Sequence, residues 1–335
     1  MIHTRQLIKG ITVVLTALVM ILTVCACGRS SGSDYEKQLE GVCAYLEDIA
    51  DDNLRAGDSG SDWTIILLSQ ADREYDYDEY LKELEEYVTE CYKGRDKLDR
   101  VKATEWHRIA MTVLAAGGDP RNFGTDSKGR PIDLIAEGTY NWNQTDSLST
   151  QGSNGLIYAL KTLDIGDYEI PKGSLYTRES IIDDLLQYQG NDGGFALSTS
   201  AGEDTDITAM AVQALAPYRS ENRRVEEAVD MALAYLSKQQ QDSGLYLYDG
   251  GYSSETSSQV IMALCAVGED PAEDENFIKT GGSLVDGLME YRMDDGSFAH
   301  DVPKDPSETG GDNVMSSQQA GLAFVSLINS ETGKE

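Results

Sequence analysis

The stretch Asp192-Gly193-Gly194-Phe195, followed after a short polar loop by Asp204-Thr205-Asp206-Ile207-Thr208-Ala209-Met210-Ala211-Val212-Gln213-Ala214-Leu215, decides how this chain is read. A glycine turn ends in an aromatic residue. A helix then opens on acidic residues and continues in small and apolar ones. The unit returns as Asp242-Ser243-Gly244-Leu245 before Ser254-Glu255-Thr256-Ser257-Ser258-Gln259-Val260-Ile261-Met262-Ala263-Leu264. It returns again as Asp295-Gly296-Ser297-Phe298 before Ser316-Ser317-Gln318-Gln319-Ala320-Gly321-Leu322-Ala323-Phe324. The turn aspartates are 50 and 53 positions apart (242−192 and 295−242). Repeats of this length are supersecondary units, none able to bury its apolar face without a neighbour.

Outward from these units the chain reads as helix after helix from Tyr35 onward. Charged, amphipathic segments (78–92, 178–188, 223–240, 284–293) alternate with apolar, small-residue segments (104–116, 153–163, 205–216, 256–267, 316–328). With the segments near 34–49, 63–68 and 132–137 this makes about twelve helices in six pairs. Ala116-Gly117-Gly118-Asp119-Pro120 and Val267-Gly268-Glu269-Asp270-Pro271 are near-copies in which Gly ends a helix and Pro prevents its continuation. The only strand-like excursion is 246–252. The expected fold is all-α, a single (α/α)6 toroid of six helical hairpins over residues 34–335. Alanines such as Ala209, Ala211, Ala263 and Ala320 allow the inner helices to approach closely.

The formal net charge of −31 repels phosphate backbones, so nucleic acid is not an expected partner. Arg5 and Lys9 precede an apolar run over 11–24, the pattern of an export leader over residues 1–27. Its end, Val24-Cys25-Ala26-Cys27-Gly28, resembles the bacterial lipobox. That resemblance implies cleavage before Cys27, acylation of its sulfur, and an extracytoplasmic protein held at the membrane by lipid, with 28–33 as a flexible tether. Cys43, Cys91 and Cys265 lack metal-like spacing and read as buried thiols; Cys43 and Cys91 would pair only on neighbouring helices.

The turn Gln189-Gly190-Asn191-Asp192-Gly193-Gly194-Phe195 resembles the Gln-Trp-type repeat of squalene cyclases and protein prenyltransferase β-subunits, with Phe in place of Trp. Asp204-Thr205-Asp206-Ile207-Thr208-Ala209 resembles the Asp-x-Asp-Asp-Thr-Ala motif of class II terpene cyclases, with Ile207 where a third Asp is usual. The likeness is to bacterial lipoproteins carrying prenyltransferase/squalene-oxidase repeats, and it implies the α/α toroid. It also implies Asp206 as the acid that protonates an alkene or epoxide, with Asp204 raising its pKa. Class II cyclases of this kind are expected to use two helical domains, whereas this chain has room for one. Prenyltransferases need a zinc site of Asp, Cys and His. With His3, His107 and His300 alone, no metal or other cofactor is expected.

Read without the resemblance, Asp204 and Asp206 are also first-turn acids well placed at a helix N-terminus. More general is a ring of polar and aromatic side chains at the starts of the inner helices: Asp62 and Trp63, Glu105, Trp106 and His107, Gln151 and Asn154, Glu255 and Gln259, Gln318 and Gln319. If these converge they line a pocket for a small or amphiphilic ligand. The alternatives are terpene-cyclase-like protonation by Asp206, and carbohydrate processing by two carboxylates across a groove.

Overall fold

The computed structural model describes residues 31–50, 53–145, 147–308 and 313–334. The leader and Cys27 lie outside them. Twelve α-helices occur among the described residues: α1 (Ser31–Ala50), α2 (Ser59–Gln70), α3 (Tyr77–Arg95), α4 (Ala103–Ala115), α5 (Leu134–Gly138), α6 (Ser153–Ile165), α7 (Arg178–Leu186), α8 (Thr205–Leu215), α9 (Arg223–Gln239), α10 (Ser254–Val267), α11 (Leu284–Met289) and α12 (Val314–Thr332). The even-numbered helices form an inner ring, each packed on the next, and α12 returns to pack on α2. The odd-numbered helices lie outside. The fold is therefore the expected all-α toroid.

The outer layer closes in a way the linear pairing does not suggest. α5, α7, α9 and α11 each pack on the inner helix before them, and α1 packs on α12, the last helix of the chain. Outer helices bury one stripe, as α3 does with Tyr80, Leu84, Val88 and Tyr92. Inner helices are covered nearly all round, which is why they carry alanine and little charge. α1 already runs from Ser31, so helix reaches into the stretch expected as tether.

The repeated turns sit in a register different from the one the aspartates suggested. Gly193, Gly244 and Gly296 are the equivalent positions, 51 and 52 residues apart (244−193 and 296−244), each with φ between +89° and +95°. The aromatic that ends each turn is Phe195, Tyr246 or Phe298, all fully buried, so Tyr246 and not Leu245 fills that place. Gln189 Nε2 donates to the Gly193 carbonyl (2.9 Å) and Gln240 Nε2 to that of Gly244 (3.0 Å). The glycine is thus common to all three turns and the glutamine to the first two, while in the third Asp295 Oδ1 accepts from the Ser297 N–H (2.9 Å) and hydroxyl (2.7 Å).

Each turn docks on the next outer helix, and the third docks on the first helix of the chain. A Cβ at Gly296 would lie 2.7 Å from the Gly41 carbonyl oxygen on α1. With its left-handed backbone, that position admits only glycine without strain. The inner seam is closed by Gln318, whose Nε2 donates to the Gly60 carbonyl (2.6 Å) and to Thr64 Oγ1 (2.7 Å) on α2. Gly321 lies against Leu67 and Val42 at the same seam.

Two short hairpins complete the fold. β1 (Phe195–Ala196) pairs with β2 (Glu203–Asp204), and β3 (Leu247–Tyr248) with β4 (Gly251–Tyr252). The second turns at Asp249-Gly250, both with positive φ, as two-residue hairpins require. The first has no strand pattern in sequence; it forms because Phe195 is pinned in the core. Cys43, Cys91 and Cys265 are free thiols, Cys43 buried and the others partly so. Among the described residues no helix is long and apolar enough to cross a membrane.

Candidate functional site

The ring encloses a lumen lined by residues spaced three or four apart on the inner helices, the spacing that keeps side chains on one helix face. α6 contributes Tyr158 and Lys161, α10 Gln259 and Met262, and α12 Met315, Gln319 and Leu322. A polar row crosses the lumen. Lys161 Nζ donates to Gln213 Oε1 (2.8 Å). Gln213 Nε2 donates to Gln259 Oε1 (2.9 Å) and to its carbonyl (3.0 Å), and Gln259 Nε2 donates to Gln319 Oε1 (2.9 Å).

Gln259 and Gln319 of this row line one chamber, and Lys161 and Gln213 line a second. The upper one, at the N-terminal ends of the inner helices, holds about 530 Å³. Its wall is Trp63, Tyr158, Val314, Met315 and Leu322, with the amides of Gln259, Gln318 and Gln319. Trp63 and Tyr158 meet with ring centroids 6.2 Å apart. A side recess of about 180 Å³ leads off between α2, α4 and α6, past Glu105, Arg108 and Asn154. The lower chamber, at the C-terminal ends, holds about 390 Å³ and shares Trp63 and Leu322 with the upper one.

The structure therefore gathers Trp63, Glu105, Asn154, Gln259, Gln318 and Gln319 from the expected ring. Within that group Glu105 is paired to Arg108 (2.6 Å), and Asn154 Oδ1 is buried without a partner. Trp106 and His107 are a correction. Both are fully buried on the outward side of α4, because α5 packs there. Trp106 Nε1 donates to Tyr92 Oη (2.9 Å) and its ring meets Trp142 edge-on at 5.3 Å. His107 Nε2 lies 2.6 Å from the Gly138 carbonyl, which makes it the donor. Burial lowers the His107 pKa to about 4, so the imidazole is neutral and structural. Asp62 turns outward too. Tyr80 Oη donates to its Oδ1 (2.6 Å), Arg108 Nη1 lies 3.3 Å from Oδ2, and burial raises its carboxyl to about 6.

The acids of the motif stand at a rim between α8 and α10. Asp204 Oδ1 accepts from the Ile207 N–H (2.9 Å) and caps α8. Asp206 Oδ1 is buried without a hydrogen-bond partner. Burial raises its carboxyl to about 6; the nearby Thr256 hydroxyl offsets part of the rise, and Asp204 and Glu255 add to it. Glu255 is buried in a stitch between elements: Ser316 Oγ donates to Oε1 (2.6 Å), and His300 Nδ1 (2.7 Å) and Ser253 Oγ (3.1 Å) donate to Oε2. None of Asp204, Asp206 and Glu255 lines either chamber. Among the described residues no cluster of three or more His, Cys, Asp or Glu is arranged to hold a metal ion.

Tyr158, Lys161 and Gln213 were not singled out in sequence. A signal existed. Lys161 and Gln213 fall seven residues after Asn154 and Asp206, two turns down the same helix face.

No family model matches the chain. No curated protein matches its sequence. Among solved structures, its fold is similar to that of the type II terpene cyclase MstE from Scytonema. An arginine variant of MstE in complex with its substrate, geranylgeranyl dihydroxybenzoate, aligns with a TM-score of 0.52 at 12% identity, covering 89% of this chain and 99% of that one. MstE without ligand aligns with a TM-score of 0.52 at 13% identity, covering 88% and 99%. The protein thus has a terpenoid-cyclase-like toroid. About nine-tenths of this chain spans nearly the whole of that one, so a type II cyclase of about this length exists beside those that use two helical domains.

Proposed function

We propose that this protein is an extracytoplasmic lipoprotein, anchored through Cys27, that binds a small or amphiphilic ligand in its toroid. The observation that carries the binding reading is the upper chamber. It has an aromatic and aliphatic wall, and the three glutamines in it already hydrogen-bond to one another or to α2, so they leave the surface neutral and largely apolar. A neutral isoprenoid or similar chain fits that chemistry. The lipid anchor rests on the leader and on Val24-Cys25-Ala26-Cys27; metabolic labelling with a palmitate analogue should mark the chain, and a Cys27→Ser chain that labels equally would remove it.

Trp63 supplies a direct readout, since Trp106 and Trp142 are buried elsewhere. Farnesol and geranylgeraniol are expected to change the intrinsic fluorescence saturably, and Trp63→Leu to abolish most of that response. A flat titration with both alcohols would end the proposal.

A second reading is supported by Asp206, whose buried, unpartnered oxygen and raised pKa suit a proton donor. Its position outside both chambers, and the use of Asp204 as a cap, favour binding instead. Turnover of geranylgeranyl dihydroxybenzoate by the chain, abolished in Asp206→Asn, would reverse that preference. Carbohydrate processing lacks the required pair, because no carboxylate lines either chamber.

A further inference from the structure

The lower chamber has an electrostatic character opposite to that of the chain as a whole. The protein carries 58 acidic against 27 basic side chains. Yet no Asp or Glu lines this chamber, while Lys161 stands inside it and Lys334 at its mouth. Lys161 is partly buried on α6 and lines the chamber. Its Nζ donates to Gln213 Oε1 and lies 5.7 Å from the centroid of the Tyr158 ring. Both partners are neutral. Among the described residues no carboxylate lies within ion-pair distance of Lys161, whereas the buried Arg108 and the partly buried Arg73, Arg178 and Arg219 each have such a partner.

An ammonium group removed from water without a counter-charge is unfavourable. Accordingly, burial lowers the Lys161 pKa to about 8, with no neighbouring charge contributing. At neutral pH the group still carries most of its charge, and an anion placed beside this partly desolvated group gains more than on a surface. One amide and one ring face do not supply that anion; the chamber leaves room for it.

The remaining wall says what the anion is attached to. Ile66, Met111, Ile165, Met262 and Leu322 form an apolar surface rich in flexible thioethers, suited to an alkyl chain of no fixed shape. Its volume of about 390 Å³ falls within the usual range of about 300–1,000 Å³ for small-molecule sites. The carbonyl ends of the inner helices gather at the mouth, where they oppose an anion. Lys334 at the mouth is exposed, where water and salt screen its charge, so the head group is drawn inward to Lys161. A single interior cation matches a single negative charge better than a polyphosphate.

We propose that the lower chamber is a binding site for a monoanionic amphiphile of the fatty-carboxylate class, with the carboxylate paired to Lys161 and the alkyl chain along the apolar wall. This site shares only Trp63 and Leu322 with the upper chamber and stands whether or not that chamber binds a neutral chain.

The test uses the full chain in phospholipid nanodiscs, with empty discs as reference, titrated calorimetrically with laurate and with dodecanol. Laurate is expected to bind at least about ten-fold more tightly than the alcohol, the factor equivalent to about 1.4 kcal/mol. Lys161→Met should remove that preference, bringing laurate to the level of dodecanol, and Lys161→Arg, which keeps the charge, should retain it. Equal binding of laurate and dodecanol overturns the proposal. So does a Lys161→Met chain that melts like the parent and still prefers laurate. Tighter binding of farnesyl diphosphate than of laurate would overturn the carboxylate assignment.

Discussion

The two ends of the lumen share Trp63 and Leu322 but treat charge in opposite ways. At the N-terminal ends of the inner helices, acids abound and almost all are engaged. Asp204 caps α8, Glu255 stitches α10 to α12, and Glu105 and Asp62 pair with Arg108. This is where the helix dipole favours negative charge. At the C-terminal ends the lining has no acid, and Lys161 has only neutral partners. The comparison teaches that a conspicuous group with all its bonds made is a structural device, whereas an enclosed group with one charge left over points to a ligand.

Three perturbations break or sharpen this contrast. The largest effect is expected from the seam the two ends share. A Cβ at Gly321 would lie 2.5 Å from Leu67 Cδ2. Gly321→Leu should therefore destabilise the fold by about 3 kcal/mol, the upper end of overpacking costs, and weaken ligands at both ends together. Unchanged urea unfolding would mean that the seam is loose.

His107 belongs to neither end and separates global stability from site effects. Its folded pKa, about 4, is below the unfolded value of about 6.5, so the unfolded chain binds the proton more tightly. Stability is full above about pH 6.5 and falls as pH drops toward 4, by about 3 kcal/mol in total. Asp62 and Asp206, raised by burial to about 6, act in the opposite sense and favour the folded form as they protonate. The difference between the parent and His107→Leu in unfolding free energy against pH isolates the histidine; parallel curves from pH 7 to 4 would refute its assignment as a neutral core residue.

The smallest effect on stability is expected from the polar row. Gln259→Leu takes from Gln319 Oε1 its donor and from Gln213 Nε2 one of its two acceptors, the Gln259 carbonyl remaining, at about 2 kcal/mol. The chambers would then communicate, so that farnesol and laurate, independent in the parent, compete. Continued independence would place the boundary elsewhere.

Much of the fold was legible. Helix ends were written in Ala116-Gly117-Gly118 and Val267-Gly268-Glu269, and in both a backbone N–H just past the helix, that of Gly118 or Glu269, reaches back to the carbonyl five residues earlier, that of Val113 (2.8 Å) or Leu264 (3.0 Å). The repeat register was misplaced by one residue in the middle unit, because aspartates were matched where Gln189 and Gln240 carry the geometry. The start of α10 fell two residues earlier than its apolar pattern, since Ser253 caps it through the Thr256 N–H. Of the site, Trp63 and the glutamines were found, while Trp106 and His107 were assigned to the wrong face. Adjacent residues on a helix point about a quarter turn apart or more, so choosing a helix start does not choose a direction.

By itself the sequence determined the alternation of charged and apolar helices, the places where they stop, and the need for neighbours to cover each inner helix; these follow from local periodicity and turn chemistry. Only the tertiary structure decided that α1 completes the layer over α12, that the acids of the motif face a rim, and that Lys161 is left without a counter-charge. Those outcomes depend on contacts between residues as far apart as Gly60 and Gln318, and no local pattern records which side chains such contacts use up.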